Sequence, residues 1–257
     1  MKFLTTRLDK NLSWLRHGFF MRTGGISSGP YATLNCGLKT EDDLKNITAN
    51  RARVAHAIEI EASHLVIAKQ VHGNHAMKVD KPWGSNATPE ADAIVTATPK
   101  LALGVLTADC APVFFVEKKK KIIGAAHAGW RGALGGILDS TVSAMQEMGG
   151  DLAEMEAAIG PCIGPRSYEV QADFKDAFLK ETAANDKFFT ASPKAGRFLF
   201  DLPGYVTERL KGLGVKTVHD IQQDTLAGEA AFFSNRRAFL KGEKGFGLQI
   251  SVIAIQD

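Results

Sequence analysis

Three side chains with the makings of a single metal site stand far apart in this chain: His72, Cys110 and His127. One thiolate and two imidazoles form a borderline-soft donor set that suits zinc, with copper as the alternative. Three protein ligands leave a coordination position open for water or substrate, which points to catalysis rather than scaffolding. The intervals of 38 and 17 residues match no zinc-finger pattern, so the fold has to bring the three together.

The elements that would do so can be read from the flanking residues. The segment APVFFVEKKKKIIGAAH reads as two apolar strands joined by a polar turn. With Lys118 and Lys119 at the centre of that turn, Cys110 comes to face His127 across an antiparallel pair, where Cβ atoms lie roughly 4.5 to 5.5 Å apart. In KQVHGNH, a strand over 65–69 delivers His72 into a loop opened by Gly73, and loops at strand ends are where reactive groups gather. After His127, GAAHAGWRGALGG passes through a glycine-rich turn into a helix, whose free N–H groups attract anions. Arg131 adds a planar fork suited to phosphate or carboxylate. Cys162 lies between two Gly-Pro elements in GPCIGPRSYEV, a stiff segment suited to structure or to the rim of a site.

Helical periodicity is clearest over 131–148, where Leu134, Leu138, Thr141, Met145 and Met148 recur at helical spacing before Gly149 and Gly150. A second helix begins near Thr40, with Thr40 and Asp43 as a cap and Leu44, Ile47, Val54 and Ile58 facing inward. A third spans 170–180, with Phe174 and Phe178 four apart, and a fourth follows Asp201 with Pro203 in its first turn. Strands are predicted over 65–69, 101–106, 113–117, 121–126, 215–220 and 248–255. The class is therefore mixed α+β in a single domain over 1–257, without internal repeats or low-complexity segments.

Composition narrows the function. A 45% hydrophobic content over 257 residues supports one large core. A net charge of +3 from 31 basic and 28 acidic residues is too balanced for a nucleic-acid surface, and the KKKK run at 118–121 reads as a solvated turn. The apolar runs fall far short of the roughly 20 residues that span a membrane. The N-terminus lacks a secretory pattern, and three unpaired-looking cysteines suit a reducing compartment, so a cytoplasmic monomer or homodimer is expected.

The ordered motifs FFMRTGGISSGPYATLN, KQVHGN, ADAIVT, TADCAPVFF, AHAGWRG, GPCIGP and FFSNRR span nearly the whole chain. Together they resemble the bacterial laccase-domain proteins, also labelled polyphenol oxidases or peptidoglycan editing factors and treated as purine nucleoside phosphorylases. The resemblance implies a four-layer α/β/β/α fold with mixed sheets. It implies zinc on the histidine of KQVHGN, the cysteine of TADC and the histidine of AHAGWRG, the same His72, Cys110 and His127. It further implies phosphorolysis of adenosine, inosine and 5′-methylthioadenosine, with deamination of adenosine. Two departures stand out: Asn35-Cys36-Gly37 with Glu41-Asp42-Asp43 in place of Asn-Leu-Gly with Gly-Asp-Asp, and no Asp-Gly after the paired arginines.

In this scheme the ion activates water for deamination and positions nucleophile and ribose for phosphorolysis. Asp109, beside the cysteine ligand, is a candidate acid or base. Arg22 and Arg131 are candidate phosphate contacts, and Asn35 and Gln70 candidate readers of ribose or base. Multicopper oxidation is disfavoured, because seven histidines include no His-x-His pair. Two rivals remain. One is a hydrolase in which His127 activates Cys110 toward a peptidoglycan-derived amide. The other is an interaction module stapled by structural zinc, with His75 or Cys162 as fourth ligand.

Overall fold

The computed structural model describes residues 1–38, 40–84 and 88–256. Strands β1 (Phe3–Leu4) and β2 (Leu15–Phe20) lead to helix α1 (Leu44–Ala57). There follow β3 (Leu65–Val66), β4 (Ala76–Lys78), β5 (Ala93–Thr96) and β6 (Ala102–Thr107), then the hairpin β7 (Ala111–Glu117) and β8 (Ile122–Ala128). Helices α2 (Trp130–Leu134) and α3 (Ile137–Glu147) precede β9 (Met155–Ile159), β10 (Glu169–Gln171) and α4 (Ala172–Glu181). The chain closes with β11 (Phe189–Ala191), β12 (Arg197–Phe200), α5 (Leu202–Gly212), β13 (Thr217–Asp220), α6 (Asn235–Lys241) and β14 (Gln249–Ile255).

Two large mixed sheets dominate, ordered β1-β2-β14-β6-β3 and β13-β9-β7-β8-β5-β4. Every residue of β7, β8 and β14 is buried, as expected for central strands covered on both faces. The sheets face each other through Phe19, Leu103 and Ile253 on one side and Phe114, Val116 and Ile123 on the other. Helix α1 covers the outer face of the first sheet, packing Val54 and Ile58 against Ile250, Val252 and Ala254. Helices α3 and α5 cover the outer face of the second, where Leu138, Met145, Val206 and Leu210 meet Val113, Phe115 and Ala157. The result is the expected α/β/β/α stack. A small sheet, β10-β12-β11, carries an aromatic cluster in which Phe178 lies 4.7 Å from Phe200 and 5.3 Å from Phe174. Because β7, β8 and β14 each feed two cores, parting any two layers would cut through apolar packing. We propose on that ground that the chain is one folding unit.

Several local expectations are corrected. The helix expected over 131–148 is two helices, broken at Gly135 and Gly136, the latter at φ 91°. Helix α1 starts at Leu44, capped by Asp43 onto the Lys45 N–H at 2.8 Å. Thr40 instead donates its hydroxyl to the Gly37 carbonyl. The strand expected over 65–69 is only Leu65–Val66, with Lys69 forming an isolated bridge to Glu90. The hairpin turn takes residues 118–121, with Lys121 at φ 53°, so His127 pairs with Pro112 rather than Cys110. That offset is two residues in register, which preserves the face on which each side chain lies. Cys110 therefore remains on the His127 side, one step along the diagonal. Among the described residues no helix is long and apolar enough to cross a membrane.

Candidate metal centre

Each of the three donors sits where an element ends. His72 follows β3 in an exposed loop and adopts φ 61°. Cys110 occupies the crossover between β6 of the five-stranded sheet and β7 of the six-stranded one. His127 lies near the end of β8 and is 3% exposed. The centre thus forms at the mouth of the sandwich, where the two sheets exchange the chain.

The sulfur and the two ring nitrogens lie within 4.8 Å of one another, the one such group of three among the described residues. Cys110 Sγ is 3.9 Å from His72 Nε2, and the imidazoles of His72 and His127 meet edge to face at 4.7 Å between ring centres. Donors around a tetrahedral zinc stand roughly 3.5 Å apart, given bonds of roughly 2.0 to 2.3 Å, so a small contraction closes the set.

Asp92 organises this corner. Its Oδ1 accepts from His127 Nδ1 at 2.8 Å and from the His72 backbone N–H at 2.9 Å. Its Oδ2 accepts from the N–H groups of Gly73 at 2.7 Å and Val71 at 3.2 Å. Four donors on one buried carboxylate hold the His72 loop in its left-handed turn and fix the His127 ring with Nε2 turned outward. Carboxylate support behind a ligating histidine sets its tautomer and raises its basicity. Burial alone would push the Asp92 carboxyl up, but His127 and the loop N–H groups hold it below the usual range.

The same field ionises the thiol. Burial disfavours the Cys110 thiolate, yet His127 and His72 outweigh burial and bring its pKa down to about 6. Burial equally disfavours a charged His127, and the thiolate and Asp92 reverse this, raising its pKa to about 9. Each group thus favours the charged form of the other, thiolate beside imidazolium.

Two glycines make the room. A Cβ on Gly129 would stand 2.9 Å from Cys110 Sγ and 3.1 Å from His72 Cδ2, so only glycine leaves that space to the donors. A Cβ on Gly132 would stand 2.9 Å from the Gly73 carbonyl, so helix α2 seats directly against the His72 loop. The donor chemistry and this clearance both fit a borderline-soft divalent ion. Neither His75 nor Cys162 joins the group among the described residues. Cys162 is instead buried, and burial together with Asp220 and Asp224 pushes its thiol well above the ordinary range.

The remaining sequence candidates are placed differently from one another. Arg131 is exposed at the start of α2, its guanidinium 4.3 Å over the Trp130 ring, which in turn packs 4.5 Å from Phe174. Asp109, at φ 90°, accepts from the Thr225 hydroxyl and the Arg236 N–H, both at 2.7 Å. Both its oxygens are thus engaged in tying the cysteine crossover to the 225–236 segment. Asn35 is fully buried and saturated, donating to Thr40 and Asp42 and accepting from Gly37 and Leu248. Gln70 spends both ends of its amide on the Leu106 backbone, at 2.7 and 2.9 Å. Asn35, expected to read ribose or base, has its amide fully engaged within the fold, while Gln70, expected in the same role, is partly buried and gives one bond from each end of its amide. Arg22 lies in another cleft, whose lining includes none of the three donors.

Asp92 was overlooked by sequence reasoning, although a lone acid opening the buried strand of ADAIVT is the sort of charge that needs partners. Tyr168 was overlooked too. Its ring is wedged against Phe174 and Phe200, with the Arg236 guanidinium 5.3 Å over its face. Burial raises its pKa, and it lies close enough to feel the charges of Cys110, Asp109 and Arg131.

Comparison with known proteins agrees with this architecture. A purine nucleoside phosphorylase of Streptomyces coelicolor is 38% identical over 222 residues, covering 86% of this chain and 89% of the relative. One of Rickettsia conorii is 39% identical over 220 residues, covering 86% and 88%. The crystal structure of a Neisseria meningitidis protein superposes with a TM-score of 0.89 at 32% identity, over 100% of both chains. With a match to the family model that extends over residues 16–256, the chain belongs to the multi-copper polyphenol oxidoreductase laccase family.

Proposed function

We propose that this chain is a zinc-dependent purine nucleoside phosphorylase acting on adenosine, inosine and 5′-methylthioadenosine, with adenosine deaminase activity at the same centre. The observation that carries the reading is the convergence of His72, Cys110 and His127 on an Asp92-anchored corner. The relatives named purine nucleoside phosphorylases support it, and from that name follow nucleosides and phosphate as the expected partners. Bound at these side chains, zinc supplies Lewis-acid polarisation of substrate and nucleophile oxygens. The family description mentions copper oxidation, but seven histidines without a His-x-His pair do not build a multicopper array.

The protein's own groups divide the remaining work. Asp92 keeps Nδ1 of His127 protonated and its Nε2 free to ligate. Arg131, stiffened on Trp130, offers its fork to the phosphate nucleophile. A phosphate oxygen bonds to ribose C1′ as the bond from C1′ to purine N9 breaks, and the leaving purine takes up a proton from solvent. Tyr168 retains its own proton, because burial raises its pKa, and serves as a hydroxyl donor to the bound nucleoside. Asp109 holds the Cys110 backbone rather than trading protons, both its oxygens being committed. We place the reaction in the cytoplasm, where Cys110 stays reduced.

The test is to incubate zinc-loaded protein with each nucleoside and phosphate and to resolve free base, ribose 1-phosphate and inosine by chromatography. Products that disappear in His72→Ala support the reading; none above that background overturns it. A second reading has its own observation, since Cys110, His127 and Asp92 also form a thiolate, imidazole and carboxylate series suited to an acyl-transfer nucleophile. That activity would survive chelation and be abolished by iodoacetamide, the reverse of what a zinc phosphorylase does.

A further inference from the structure

A cleft of about 410 Å³ has a lining that includes none of the three metal donors. Arg22, Phe233, Arg237, Glu243, Lys244 and Phe246 line it. Arg22 is held in place by a ring and by two backbone carbonyls. The guanidinium lies flat over Phe233, 4.5 Å from the ring centre. Its Nε donates to the Ala32 carbonyl at 2.9 Å and one terminal nitrogen to the Glu229 carbonyl at 3.3 Å. The second terminal nitrogen has no protein partner among the described residues. A fork fixed this way loses little rotamer freedom when it takes up an oxyanion.

The local charge is also unbalanced. Arg237 is 8% exposed and adds a second guanidinium beside the first. Burial, and then the Arg237 charge, weaken the hold of Arg22 on its proton, against the opposing pull of the Glu229 and Glu243 carboxylates. The Glu229 carboxylate is drawn off by Lys241 at 2.5 Å and Arg237 at 3.9 Å. Lys244 makes no ion pair with any described residue, so its ammonium is available at the cleft wall.

We propose that this cleft binds a phosphate monoester, with the phosphate between Arg22 and Lys244 and the body of the ligand against Phe246. The exposed carboxylate of Glu243 suits the hydroxyls of a sugar, which places phosphorylated sugars ahead of other monoesters. The wall of the cleft is joined to the metal loop: Arg237 donates to the Thr225 carbonyl at 2.8 Å, and the Thr225 hydroxyl donates to Asp109, the neighbour of Cys110. The proposal does not rest on the phosphorylase reading, since it needs no reaction at the metal.

Calorimetry and phosphorus NMR on metal-replete protein test it, with inorganic phosphate, ribose 5-phosphate and ribose as probes. Ribose 5-phosphate should bind saturably and ribose should not. Lys244→Gln should weaken binding about tenfold, the loss of one charge-assisted contact, while His72→Ala leaves it unchanged. Arg22→Gln should abolish binding, with its thermal melt run beside it; Lys244→Gln, a surface change, keeps the test decisive if that variant unfolds. Equal binding of inorganic phosphate and ribose 5-phosphate, both weakened in Lys244→Gln, identifies the site as one for free phosphate. Absence of saturable binding, or binding lost in His72→Ala but intact in Lys244→Gln, overturns the proposal.

Discussion

Asp92 and His127 share a 2.8 Å hydrogen bond through the same carboxylate oxygen that accepts the backbone N–H of His72. A single atom therefore positions two of the three donors, one through its ring and the other through its main chain.

Asp92→Asn keeps the size of that group but replaces one acceptor oxygen with an amide nitrogen that must face two of the four N–H groups. Zinc affinity should fall about 10- to 100-fold, the usual cost of losing such support. The metal-free protein should lose about 1–3 kcal/mol of stability through the unsatisfied donors. Competition against a chromophoric chelator and thermal melts measure the two effects separately.

Metal uptake should depend on pH in a definite direction. At neutral pH the Cys110 thiol, with a pKa of about 6, is already ionised, whereas His127, at about 9, still carries the proton that a ligating nitrogen must shed. Affinity should then rise with pH, more steeply below about 6 where the thiol must also ionise, and level off above about 9. The stability terms have opposite signs. The raised pKa of His127 contributes fully below its unfolded value and is lost as pH rises through about 9. The lowered pKa of Cys110 contributes fully above its unfolded value and is lost as pH falls through about 6. The thiolate ultraviolet band of metal-free protein should accordingly appear near 6, and near the ordinary thiol range in His127→Ala.

Gly129→Ala sets a methyl group against both the sulfur and the His72 ring. The fold should persist, because the clash falls on the centre and not on the core, while turnover drops roughly a hundredfold, as for a misplacement of about 1 Å. Circular dichroism and zinc content read alongside kinetics separate this from unfolding; full activity in this variant would refute the clearance argument.

Tyr168→Phe removes one hydroxyl and leaves the ring wedged between Phe174 and Phe200. The expected result is a loss of about tenfold in kcat/KM with an unchanged melting temperature. A merely structural tyrosine would show the converse.

The mixed α+β class and the donor trio were legible from residue type and periodicity, whereas the four layers were implied by the family resemblance alone. The burial of β7, β8 and β14 follows from their predominantly apolar sequences, and Leu138 and Met145 face inward as their spacing requires. Strands β1, β4, β10, β11 and β12, each of four residues or fewer, were not foreseen, nor were β2, β5 and β9. Strand β2 is interrupted by His17 and Gly18, β5 is only four residues long, and MEAAI in β9 has a single β-branched side chain, Ile159, to announce a strand. The hairpin register was read two residues off, because four lysines in a row give no turn signal. Sequence could not reveal that Asn35 and Gln70 spend their amides internally, since that depends on partners as distant as Leu248 and Leu106.

The crossover that carries Cys110 has a mechanical consequence. His72 comes from the edge of one sheet, His127 from the middle of the other, and Cys110 from the link between them. An ion held by all three is therefore a clasp across the open end of the sandwich, and its binding energy adds to the cohesion of the two halves by mass action. Starved of metal, the molecule should fray first at that rim, exchanging amide hydrogens around residues 71–73 and 108–111 well before those of β14.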